Sequence, residues 1–250
     1  MYNFVGGAWT FEEELIEGVG EKFGTSLSQM ANRIAVGAPF HINETEQVAG
    51  GVYIYDYSGG NCTKTAVKTG ISSGDQFGAS VALFTDSSSG NWLVVGAPGV
   101  SGGGAVYVYK YNVLSCEWDL DGTLVPSDNQ NGAPLGGSIA ITQTSFDNKL
   151  WVFAGRPLHD SNMDCIQDLP GQILYWYNGI VEIFENTILN GWELKENELR
   201  PPDCFVDGNF GFSVDASNDQ IAVGSPGAKR QLRVIYSLHE ILPYPTRHIN

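Results

Sequence analysis

Basic residues are scarce in this chain: 13 lysines and arginines stand against 28 aspartates and glutamates over 250 residues, a formal charge of -15. Nucleic-acid phosphates and anionic membrane surfaces are held by lysine and arginine, so the balance argues against both as partners. Long apolar runs are lacking too. No stretch reaches the about 18 apolar residues that a membrane-spanning helix needs. The first residues, Met1 to Trp9, have neither the basic start nor the apolar run of a secretory signal. There is no Cys-x-x-Cys, no His-x-x-x-His, and no glycine-rich phosphate loop leading into a helix, so these motif-borne chemistries have no foothold.

What is present is glycine and aromatic residues: 31 glycines, 12 phenylalanines and 11 tyrosines, with only 16% charged residues. That composition points to an all-β fold. A unit recurs four times. Its cleanest copy has Phe77-Gly78, Gly96-Ala97-Pro98, Gly104 followed by Val106 to Tyr109, then Trp118 and Leu120. The first copy has Phe23-Gly24, Gly37-Ala38-Pro39 and Gly51 to Tyr55. A looser third has Leu135-Gly136, Ala154-Gly155-Arg156-Pro157, Gly179 to Phe184 and Trp192. The fourth has Phe210-Gly211, Gly224-Ser225-Pro226 and Leu232 to Tyr236. The anchors at 23, 77, 135 and 210 are 54, 58 and 75 residues apart. A period of this size is that of a propeller or solenoid built from one supersecondary unit per repeat.

Within each unit the second apolar run is continuous: Ile34 to Val36, Leu93 to Val95, Leu150 to Phe153, Ile221 to Val223. A short strand without alternation is covered on both faces. The last strand alternates, as at Trp118 to Asp121 and Trp192 to Lys195, which suits an outer strand with one wet face. Each unit therefore reads as a four-stranded sheet running from a buried inner strand to an exposed outer one, and such sheets arranged radially make a β-propeller. The expected division is a partial blade at 1–17, then blades at 18–72, 73–128, 129–203 and 204–250. The aromatic before the first glycine is expected to wedge between neighbouring sheets.

Phe-Gly followed by Gly-Ala-Pro and a Gly-x-Val-Tyr strand resembles the FG-GAP repeat, the blade unit of integrin α-chain propellers. The resemblance covers essentially the whole chain. It implies a β-propeller of four FG-GAP-type blades used for binding, usually extracellular. Either Trp9 to Leu15 supplies the outer strand of the last sheet and closes the ring, or the chain is part of a larger propeller.

The family's calcium site is an acidic loop between first and second strands, because a hard cation needs several oxygens on a tight turn. Here the matching loops are 28–32, 85–92, 143–149 and 215–219, and none has three acids at the required spacing. Plain turns and no cofactor are expected. Ser80 follows Gly78 as in half of a nucleophile elbow, but Ser26, Ser138 and Ser213 recur at the same place, so the serine belongs to the fold. His41 and His159 fall in equivalent loops and, with His239 and His248, read as solvated side chains.

Cys62 and Cys116 occupy equivalent points in consecutive units, too far apart for a disulfide span. Cys165 and Cys204 lie in connections expected on one propeller face, which makes them the disulfide candidate. Asn43-Glu44-Thr45 and Asn61-Cys62-Thr63 are glycosylation sequons, and with that disulfide they favour an extracellular or cell-surface setting.

One feature departs from the repeat: an insertion over 156–178, with Asp160, Asp164 and Asp168 followed by Tyr175, Trp176 and Tyr177. Long loops on a rigid scaffold often exist for binding. Aromatics beside acids suit a protein or sugar partner; the plain reading is a strand extension with solvated acids. The expected function is a non-enzymatic binding module engaging a protein partner through the loops at 40–49 and 156–178. A lectin-like propeller and a structural part of a larger assembly are the alternatives.

Overall fold

The computed structural model describes residues 1–128, 130, 132–160, 178–187, 190–196, 198–201 and 208–228, and the backbone of 232–237. Among these residues the chain is all β, with seventeen strands in five antiparallel sheets and no helix. β1 (Tyr2–Val5) and β2 (Ala8–Phe11) form a hairpin. Three four-stranded meanders follow. The first is β3 (Ser26–Met30), β4 (Arg33–Ala38), β5 (Gly51–Ser58) and β6 (Asn61–Thr69). The second is β7 (Ser80–Thr85), β8 (Asn91–Ala97), β9 (Ala105–Asn112) and β10 (Glu117–Leu124). The third is β11 (Ser138–Gln143), β12 (Leu150–Arg156), β13 (Ile180–Thr187) and β14 (Gly191–Leu194). The last sheet has β15 (Ser213–Ser217), β16 (Gln220–Ser225) and β17 (Leu232–Ser237). Each repeat of the sequence thus becomes one sheet.

The continuous apolar runs of the first three units are buried on both faces, as their lack of alternation requires: β8 and β12 are buried along almost their whole length, whereas in the fourth unit Ile221 and Val223 are buried and Ala222 is exposed. The reason for the burial is face-to-face stacking of the sheets. First strand lies beside first strand, β3 against β7, β7 against β11 and β11 against β15. Ala35, Val52 and Ile54 meet Phe77, Val81, Leu83, Leu93 and Val95 between the first two sheets. Trp92, Val94, Val106 and Val108 meet Leu135, Ile139, Ile141 and Val152 in the next layer. Trp151, Phe153, Val181 and Ile183 meet Phe210, Ile221 and Val223 in the third.

Phe77 and Phe210 wedge between sheets at 1% and 0% exposure. Such a burial contributes about 1.5–3 kcal/mol each. The glycines beside them let the backbones touch: a Cβ on Gly37 would stand 2.0 Å from the Gly78 carbonyl, and one on Gly155 would stand 1.9 Å from that of Gly211. The repeated serine seals each junction. Ser26 Oγ donates to Gly78 O at 2.8 Å, Ser80 Oγ to Gly136 O at 2.8 Å, and Ser138 Oγ to Gly211 O at 2.7 Å. Farther out, the Arg33 guanidinium, paired with Asp56 at 2.7 Å, lies over the ring of Tyr111 in the next sheet at 4.4 Å.

Among the described residues the N-terminal strand pairs within its own hairpin and not with the last sheet. Ala8–Phe11 pairs with Tyr2–Val5, because Gly6 and Gly7, with φ of 62° and 87°, make a two-residue turn that folds the segment on itself. The acids that follow find donors on the first sheet: Tyr57 Oη and Cys62 N donate to Glu12 and Glu13, and Tyr55 Oη and Lys64 Nζ donate to Glu17. Met1, Leu15 and Phe23 then cover Ile34, Val36, Tyr53 and Tyr55.

Candidate functional site

The insertion leaves one end of the third sheet, and that end has a fixed construction. After each Gly-Ala-Pro position the chain turns, His41 N bonding Ala38 O, Val100 N bonding Ala97 O, and His159 N bonding Arg156 O. It is then pinched shut before the third strand. Gly50 N donates to His41 O at 3.0 Å, Gly104 N to Val100 O at 2.9 Å, and Gly179 N to His159 O at 3.0 Å. Because the pinch is constant, the loop beyond it is free to vary. It spans 42–49 in the first unit, 101–103 in the second and 160–178 in the third. Loop-closure entropy rises only slowly with length, so a long insertion on a closed neck costs little stability.

At the root of the longest loop the third unit differs in chemistry. At the positions of Ala38 and Ala97 stands Arg156, and at those of Tyr53 and Tyr107 stands Glu182. Arg156 is 0% exposed and Glu182 1%. Arg156 Nη1 bonds Glu182 Oε1 at 2.8 Å, Nη2 bonds Asp128 Oδ1 at 2.9 Å, and Nε bonds Ala133 O at 2.9 Å. Glu182 Oε1 also accepts from Ser127 N and Oγ, at 3.0 and 2.8 Å. His159 Nε2 reaches Asp128 Oδ2 at 3.0 Å. Burial pushes the Asp128 carboxyl up, but hydrogen bonds from His159 and Arg156 and their charges outweigh it and hold it below the usual carboxylate range. Next to this cluster Gln130 clamps Asp160 both ways: Gln130 Nε2 donates to Asp160 O at 3.1 Å, and Asp160 N donates to Gln130 Oε1. Beside Gln130 a groove of about 350 Å³ is lined by Pro98, Val100, the glycines at 102–104, Ala133 and Pro134.

His159 is therefore not a solvated loop residue. It is 5% exposed, since the turn folds its ring back toward Asp128. His41 is half-buried, with Nδ1 3.0 Å from Tyr53 Oη and 3.1 Å from Glu21 Oε2. Of the residues proposed from sequence for partner binding, Asp160 stands at the clamped root. Asp164, Asp168, Tyr175, Trp176 and Tyr177 lie outside the described residues, as do Cys165, Cys204, His239 and His248. Arg156, Glu182, Asp128 and Gln130 were not singled out by the sequence. The signal was available in Gly-Arg-Pro where the other units have Gly-Ala-Pro or Gly-Ser-Pro, coupled to Glu where two of them have Tyr.

Cys62 and Cys116 are free thiols, in line with the distance argument. Asn43 organises its own loop. Its Oδ1 accepts from Thr45 N, Thr45 Oγ1 and Gln47 N, and its Nδ2 donates to Gly70 O at 3.2 Å. Asn61 is exposed at a hairpin turn. In the loop over 85–92, Asp86 is spent on the turn itself, accepting from Ser88, Gly90 N and Trp92 Nε1. Among the described residues no group of three or more His, Cys, Asp or Glu is arranged to hold a metal ion. No model of a known protein family matches the chain, and no curated protein matches it either.

Proposed function

We propose that this chain is a run of four FG-GAP-type propeller blades serving as a non-enzymatic binding module, outside the cell or on its surface, and that its ligand is a protein. The observation that supports this reading is the neck of the insertion. The third unit places a fully buried Arg156–Glu182 pair, an Asp128–His159 contact and a two-way Gln130–Asp160 clamp under one loop, while the equivalent loop of the second unit needs none of them. A rigid root under a long loop carrying acids and aromatics is how a sheet scaffold displays a recognition element. The groove beside Gln130 adds a receiving surface next to that root.

The test replaces 161–177 with a short Gly-Ser link and measures binding of both proteins to a panel of extracellular domains by surface plasmon resonance. The reading expects unchanged melting and at least a tenfold loss of affinity for whatever the native chain binds. Equal affinity in both proteins would overturn it.

A further inference from the structure

The stacking interface occurs three times inside the chain, and its two halves also stand open at the ends. In a junction, the half facing the following sheet offers a serine and the small residue two places on, with a glycine on the neighbouring strand. Ser26 with Gly37, Ser80 with Gly96, and Ser138 with Gly155 each meet the carbonyl of the next Phe-Gly or Leu-Gly glycine. The last sheet repeats this half. Ser213 and Asp215 on β15 face the same way as Ala222 and Gly224 on β16. Here Ser213, Asp215 and Ala222 are exposed and Gly224 is half-buried, and the nearest atoms to a Cβ on Gly224 all belong to Ser213 of its own sheet. The residues matching Ala222 in the other sheets, Ala35, Val94 and Phe153, are each 0% exposed.

The half facing the preceding sheet is likewise open on the first sheet. Gly78, Gly136 and Gly211 would each bring a Cβ within 2.3, 2.6 and 2.5 Å of a carbonyl of the preceding sheet, whereas Gly24, with the same φ near 88°, meets nothing within 4 Å. Leu27 points the same way and is 64% exposed, while its counterparts Val81 and Ile139 are 9% and 8% exposed. The N-terminal segment covers β4 and β5 on this face but leaves Leu27 and Gln29 on β3 in solvent.

We infer that the last sheet of one copy of this chain stacks on the first sheet of a second copy, head to tail, with β15 alongside β3. Both halves are on every molecule, they match a contact the chain makes three times, and the chain's own ends do not bury them against each other. A second copy is the one surface described here that carries the complement. The chemistry fits at each position. Ser213 would donate to Gly24 O as Ser138 does to Gly211 O. Asp215, in the place of Ser28, would accept from Gln29 N as Ser28 Oγ accepts from Leu83 N at 2.9 Å. Leu27 would be buried against Ala222. Such an interface is heterologous, so one contact leaves a free half at each end and association continues until the ends meet.

The experiment measures mass by light scattering and sedimentation across concentration for the native chain, Leu27→Arg, Ala222→Arg, and a mixture of the two variants. Both substitutions are at exposed positions, and matched melting curves establish that each variant folds; Ser213→Arg replaces Ala222→Arg if that protein melts early. The native mass should rise above one chain with concentration, and each variant alone should stay at one chain. Mixed, the variants should form a pair and stop there, since the intact last sheet of the Leu27→Arg protein meets the intact first sheet of the Ala222→Arg protein. A native chain of single-chain mass at every concentration, whether its ends close on each other or the polar face is a cap, would overturn the inference. So would a mixture that remains unpaired, or association that both variants retain.

Discussion

Arg156 and Glu182 face one another at 2.8 Å from adjacent strands, both fully buried, at positions where the first two units hold alanine and tyrosine. The exchange is compensated. Ala133 stands where the first two units have Glu21 and Asp75, so the acid has moved from the loop onto the strand and a base has come in to meet it.

Removing one partner of this pair is therefore costly. Glu182 Oε2 makes no hydrogen bond, so the carboxylate depends on Arg156 and Ser127 through its other oxygen. Arg156→Ala should destabilise by about 3–5 kcal/mol, as breaking buried ion pairs does. The double variant Arg156→Ala with Glu182→Tyr gives these two positions the residues of the first two units and should recover much of the loss. Urea denaturation of the two single variants and the double variant measures the coupling; strictly additive losses would contradict it.

Glycines at the junctions should differ by position. Gly155→Ala drives a Cβ to 1.9 Å from the Gly211 carbonyl, a backbone atom that cannot swing aside, and overpacking of this kind costs about 1–3 kcal/mol. Gly224→Ala meets only the flexible Ser213 side chain closely and should change stability by less than about 0.5 kcal/mol. Thermal unfolding of the two variants, at a concentration where the chain is a monomer, separates them.

Acid should weaken the third sheet through Glu185. Burial raises this carboxyl, but hydrogen bonds from Lys149 and Lys195, the latter at 2.7 Å, bring it below its ordinary value. A folded pKa below the unfolded one means a contribution present above the unfolded value and lost as pH falls through the folded value. The stability gap between native chain and Glu185→Gln should therefore be widest near neutrality and close in acid, in urea midpoints taken from pH 7 downward.

Alkali should act through tyrosines. Burial, first of all, raises Tyr53, Tyr55 and Tyr109, the last to about 12; hydrogen bonds to Glu21 and Glu17 add to it for the first two. The folded chain keeps these protons when the unfolded chain has lost them, so stability is full below about pH 10 and declines above it. Tyrosinate absorbance should show a late-titrating group of rings that joins the others once the protein is unfolded in urea. Titration of all rings together in the folded chain would contradict this.

Gln130→Ala removes both bonds to Asp160 while leaving the buried pair untouched. Limited proteolysis within 161–177 should become faster, with global stability lowered by no more than about 1–2 kcal/mol. An unchanged cleavage rate would mean that the clamp does not restrain the loop.

The repeat, the strand order within each unit and the sheet layers were legible in the sequence because they are local. Val94-Val95 without alternation requires cover on both faces whatever supplies it, and Phe77 before Gly78 is a large apolar group beside a residue that lets backbone approach. The histidine at 159 was misjudged because exposure depends on what folds over a turn, and Asp128, its acceptor, is 31 residues away in another loop. The same distance hid Arg156 as part of a network: its partners come from β13 and from the link before β11. The fate of the N-terminal strand was also undecided by pattern, since its apolar side chains suit any sheet edge. The Gly6-Gly7 turn and the donors on β5 and β6 settled that choice. What the sequence determined by itself was the set of contacts between near neighbours, where period and residue size are enough. What only the tertiary structure decided was which distant polar groups meet and which faces remain open, because these depend on how four similar sheets add up in space.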